Sequence, residues 1–202
     1  DWTAKQKRVE QRFPHWLILK ELARHAAALP IMADVSSEID AIESNRSLLD
    51  DTDYVQPLRK KLEQALRTAL TAAHKGACDV HEREHDALIQ SVDWKKLPAD
   101  KQASIIAANR LEPILALDIA NEDVLLDSLN QRSLAGWAEL ADGLPTRFAK
   151  ARADAARELE PKSQTFHVQR ATLRDEAEVK AWLARTEVDL LAKLPDGPII
   201  IS

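Results

Sequence analysis

The sequence predicts a mainly α fold, a multi-helix bundle with a long helical hairpin and a small C-terminal βαβ unit. Three observations carry that expectation. Glycine is scarce, 4 of 202 residues, whereas Ala and Leu supply 32 and 27, a composition suited to packed helices. Apolar residues recur at steps of three and four along most of the chain. Only near the end does the pattern change to alternation with β-branched residues. The expected division is a helical bundle over 1–160 and a strand-helix-strand cap over 161–202.

Trp2, Val9 and Phe13, then Trp16, Leu19, Leu22 and Ala26, have helical spacing, with Pro14 and Pro30 as breaks or first turns. Val35, Ile39, Ile42, Leu48 and Leu49 predict a helix over about 33–49. Asp53 precedes Gln56 and Pro57, a cap-like start for the next helix. From there Leu58, Leu62, Leu66, Ala69, Ala73, Ala77, Val80 and Leu88 form one stripe, interrupted only by Gly76 before Pro98. A helix of about 36 residues spans roughly 54 Å and needs partners, most economically the preceding 33–49 segment folded back against it, with later helices covering the rest.

Shorter segments follow: 99–110, LEPILALDIA, a helix capped by Asn121, and one from Leu134 to Leu140 ending at Gly143. Pro145 and Thr146 are expected to open another helix, which Pro161 stops. QTFHVQ then alternates as a strand. Thr172 to Asp175 caps a helix bearing Val179, Trp182, Leu183, Leu190 and Leu191, and Pro195-Asp196-Gly197-Pro198 turns into an Ile-Ile-Ile strand. The two strands should be parallel, and two alone are marginal, so they are expected to pack on helices or extend another sheet.

The net charge of −5, from 28 basic and 33 acidic residues, provides no overall positive field toward nucleic acid or an anionic membrane. No uninterrupted apolar run exceeds four residues against the ~20 of a membrane span, so no membrane partner is expected. A single cysteine, Cys78, fits a reducing cytoplasm. The first residue is Asp1 and the only methionine is Met32, which suggests a piece of something longer.

Residues 81–85 spell His-Glu-Arg-Glu-His, an H-E-x-x-H string in which His81 and His85 could ligate zinc while Glu82 acts as general base. Arg83, Glu84 and Asp86 within and beside it point instead to a solvated helix face. His74, Cys78, His81 and His85 fall in one helical stripe, and one straight helix cannot wrap four ligands around a tetrahedral ion. No glycine precedes a lysine, so no Walker-type phosphate loop lies in this sequence, and no Gly-x-Ser-x-Gly elbow occurs. Neither catalysis nor a cofactor is expected here. Basic clusters at Lys5, Lys7, Arg8 and Arg12 and at Arg59, Lys60, Lys61 and Arg67 could touch phosphates, which leaves a helical nucleic-acid-contacting module as an alternative.

The segment ATLRDEAEVKAWLARTEVDLLAKLPDGPIIIS resembles the C-terminal end of the large P-loop ATPase of BREX-type phage-defence systems (BrxC/PglY). NRSLLDDTDYVQPLRKKLEQALR is similar to the helical region ahead of it in that family. The resemblance implies a non-catalytic C-terminal region that assembles the ATPase with other phage-defence proteins, and possible contact with DNA through the complex. It singles out Arg46, Thr172, Trp182, Gly197 and Pro198, and places ATP turnover outside this sequence. The residues themselves also fit plain folding roles: a hairpin anchor, a cap, a packed aromatic and a turn. Self-association of the helices is left open.

Overall fold

In the computed structural model, residues 2–160, 164–168 and 170–201 are described. Pro161 and Gln169, the expected helix stop and the end of the expected first strand, lie outside them. The architecture is mainly helical. Its elements are α1 (Trp2–Ala26), α2 (Met32–Ser44), α3 (Val55–Gln90), α4 (Val92–Lys96), α5 (Ala99–Asn109), α6 (Glu122–Gln131), α7 (Leu134–Leu159) and α8 (Glu176–Lys193). Strands β1 (Gln164–Phe166) and β2 (Ile199–Ile201) pair in parallel, with Thr165 opposite Ile200.

The long helix α3 is the spine and runs unbroken through Gly76. Its main partners are α1 and α7 rather than α2, which touches it only slightly. What folds back along α1 is the single turn at Ser47–Leu49 that follows α2, where Arg12 donates to the Leu48 carbonyl, while Lys20 reaches Glu43 of α2 at 3.2 Å. Helix α1 covers the first half of α3, where Trp16, Leu19, Leu22, Val35, Ile39, Leu62, Leu66, Leu70, Leu125 and Leu129 form one core. Helix α7 covers the second half, where Leu88, Trp94, Ile105, Leu111, Leu144, Phe148 and Ala151 form another. Burying a Leu or Phe completely is worth about 1.5–3 kcal/mol, so these two cores hold the bundle.

Two expected breaks do not occur. Helix α1 continues through Pro14 and α7 through Pro145, so the segments expected to end near Gly143 and restart at Thr146 are one helix. An interior proline costs about 3 kcal/mol. On α7, Leu144, Phe148 and Ala151 are at most 1% exposed, and keeping them on one continuous face outweighs that cost. The cap signals are observed as expected: Asp53 Oδ1 accepts from the amides of Val55 and Gln56, and Asn121 Oδ1 from Val124.

Direction along the spine follows from cross-contacts. His74 meets the Trp137 ring at 4.9 Å, His81 meets Phe148 at 5.3 Å, and Glu84 pairs with Arg152 at 3.6 Å. Both numbers rise together, so α3 and α7 are parallel. The chain between them must therefore travel back along the spine, and residues 111–119 do so without helix or strand.

Candidate functional site

The return segment accounts for the histidines. His81 Nε2 lies 3.0 Å from the Leu111 carbonyl and His74 Nε2 2.9 Å from that of Leu115. Arg67 donates to the Ile119 carbonyl, and Arg59 Nε meets the Glu122 carboxylate at 2.7 Å. Positions 59, 67, 74 and 81 recur at about two helical turns and share an arc of about 80° beside the apolar seam. Four residues of return chain span seven of helix, which at 1.5 Å per helical residue is about 2.6 Å per residue, well extended. Leu111 follows Arg110, whose φ of 54° ends α5 in a left-handed cap; Leu111 N–H bonds back to Ile106 O, six-to-one.

The H-E-x-x-H string is thereby placed. His81 is part-buried with its Nε2 committed to Leu111, and its ring stacks on His85 at 6.0 Å. Glu82 is exposed. Among the described residues, no three His, Cys, Asp or Glu side chains are grouped so as to hold a metal ion. Cys78 lies 3.7 Å from His74 Nδ1, and burial followed by the nearby Asp79 and Glu82 carboxylates pushes its thiol pKa up. A raised pKa keeps the sulfur in its protonated, less nucleophilic form.

The arginines of both basic clusters work inside the fold. Arg8 donates to the Leu49 carbonyl and pairs with Asp51, and Arg12 donates to the carbonyls of Leu48, Asp50 and Asp51. Arg67 anchors the return segment and Arg59 the start of α6 just beyond it. The lysines Lys5, Lys7, Lys60 and Lys61 are exposed.

Arg46 is an exposed residue with φ 56°, the left-handed position just beyond α2, and its amide bonds to the Glu43 carbonyl. Its backbone role is to end the helix. Thr172 is exposed and does not cap α8. The cap is Asp175, whose carboxylate accepts from the Glu178 amide at 2.8 Å, while Glu178 accepts from the Arg174 amide. That pair is close to a capping box, with Glu178 on the amide just before the cap residue, and Asp175 is the last residue of the Thr172–Asp175 stretch expected to cap this helix. Trp182 is half-buried on α8. Gly197 has φ 136°, a conformation that L side chains rarely adopt, and its amide bonds to Leu194 O; Pro198 is exposed beside it.

These C-terminal residues sit in the βαβ unit, whose strongest contacts are internal. Phe166 is buried, with Lys193 Nζ 5.7 Å from its ring centroid. No described residue of α8 is buried, and Leu183, Leu191, Leu194, Ile200 and Ile201 are each more than half exposed. On α8, Val179, Trp182, Leu183, Thr186 and Leu190 fall within an arc of about 100°, a stripe that is half-buried at Trp182, Thr186 and Leu190 and exposed at Val179 and Leu183.

No family model, curated protein or solved structure matches this chain. Among the described residues, no helix is long and apolar enough to cross a membrane. The anchor row was present in the sequence as basic and imidazole side chains at steps of eight, seven and seven, a period that places them together on α3. Asp175 lay within the expected cap, and Glu178 three residues on singles it out over Thr172.

Proposed function

We propose that this chain is a non-catalytic assembly region of a larger protein, the C-terminal region of a BREX-type phage-defence ATPase. In this reading the helical body is a rigid support, and the βαβ unit docks by adding its strands to the edge of a β-sheet in another protein of the defence assembly. The observation that carries it is the apolar stripe of α8, still exposed at Val179 and Leu183, above a sheet of only two strands. Two short strands are marginal in water, and adding a sheet edge would supply main-chain hydrogen bonds while covering the stripe. The family assignment rests on the two sequence segments quoted above, 45–67 and 171–202.

The test is removal of residues 164–202 from the full-length parent protein. Phage restriction and co-purification of the partner should both be lost, while the remaining helical body keeps its cooperative unfolding. Restriction that persists at the parental level after this deletion sinks the proposal.

A further inference from the structure

A cleft of about 720 Å³ opens where the C-terminal end of α1, the end of α6 and the start of α7 converge. Arg24, Arg132 and Arg147 line it with His25, and Glu139 is the one carboxylate in its lining. In a chain of net charge −5 this is a local concentration of positive charge. Arg24 is held in place by Glu21 at 3.4 Å and by Asn130 at 3.0 Å, and His25 also meets Asn130 at 3.1 Å. Arg132 and Arg147 have no carboxylate partner among the described residues. Arg132 lies over the Trp137 ring at 4.7 Å. Gly136 makes room for it, because a Cβ at that position would sit 3.2 Å from Arg132 Cγ. The positive end of the 26-residue α7 opens into the same space, with Ser133 capping the amide of Gly136.

We infer that this cleft binds a phosphate-bearing ligand. Two guanidinium groups without carboxylate partners, a third fixed beside an imidazole, and a helix start suit a group carrying more than one negative charge. A single carboxylate would satisfy one of the two free arginine forks and leave the other without a carboxylate partner. The volume falls in the range of small-ligand sites, about 300–1,000 Å³. The inference is independent of the docking proposal, since the cleft lies in the helical body and the βαβ unit is elsewhere.

The experiment is calorimetric titration of the chain with pyrophosphate at low salt. Saturable binding is expected. Arg132→Gln and Arg147→Gln should each weaken it about tenfold, the loss of one charge-assisted contact. Glu139→Gln removes the opposing charge and should tighten it, a gain that a misfolded variant could not give. Arg185→Gln, on α8, should leave it unchanged. Heats that do not saturate at millimolar pyrophosphate, or affinities unmoved by Arg132→Gln, Arg147→Gln and Glu139→Gln, overturn the inference. Competition identifies the source of the phosphate: a 5′-phosphorylated DNA strand displacing pyrophosphate more strongly than a nucleoside triphosphate assigns it to nucleic acid, and the reverse to a free nucleotide. Either outcome supports the site.

Discussion

The helical body and the C-terminal unit treat their apolar residues in opposite ways. In the body, Leu62, Leu66, Leu70, Leu88 and Phe148 are fully buried along α3 and α7. On α8 the stripe is equally periodic, yet Leu183 stays 53% exposed. Periodicity alone therefore specifies a helix and its apolar side, and the presence of a covering element decides whether that side yields stability. The body completes its own cores. The terminal unit leaves Leu183, Leu191, Leu194, Ile200 and Ile201 more than half exposed.

The sharpest way to break this contrast is a pair of truncations. Phe148→Ala should cost about 3–5 kcal/mol of unfolding free energy in denaturant titration, the usual loss for a buried ring. Leu183→Ala should stay within about 0.5 kcal/mol in the same assay, because an exposed side chain has little packing to lose. A large loss at Leu183 would mean that α8 is covered in solution.

A smaller effect probes the return segment. His81→Ala deprives the Leu111 carbonyl of its partner and should destabilise by about 1–3 kcal/mol, with faster amide hydrogen exchange at 111–119. Unchanged exchange there would show that the anchors do not hold the segment. Next comes a gain. Gly76 lies inside α3 with nothing within 4 Å of an added Cβ, so Gly76→Ala should stabilise by up to about 1 kcal/mol.

The smallest expected effect is on pH dependence. Burial, reinforced by the Arg24 charge, lowers the His25 pKa below its ordinary value. The unfolded chain then binds the proton more readily than the folded one. This contribution is present above about pH 6.5 and is lost as pH falls through the lowered folded value. His25→Gln should flatten that part of the stability profile, and an unaltered slope would exclude His25 as its source.

What could be read in advance divides along physical lines. Asp53 and Asn121 were legible because a cap needs only one side-chain oxygen and nearby amides. The proline positions misled because Pro14 and Pro145 act locally, whereas the continuity of α1 and α7 is decided by burial against a helix distant in sequence. LEPILALDIA gave no clean period, since an extended segment lying on a helix buries residues according to the helix surface rather than its own repeat. The first partner of α3 was misassigned for a related reason: chain proximity favoured α2, and although a later helix, α7, does cover α3 as expected, the other broad face over this 36-residue helix belongs to α1. The cleft arginines Arg24, Arg132 and Arg147 come from separate elements and share no spacing that a linear pattern could reveal.

The return segment also acts as a tape measure. From 81 to 59 the helix covers 22 residues, about 33 Å, and its matched partners run from 111 to 122, 11 residues at about 3 Å each. Little slack remains between the anchors. Exchanges of side chain along 111–119 can therefore be absorbed more readily than changes of length: a deleted residue would pull at least one anchor out of register, and an inserted one would have to bulge away from the spine.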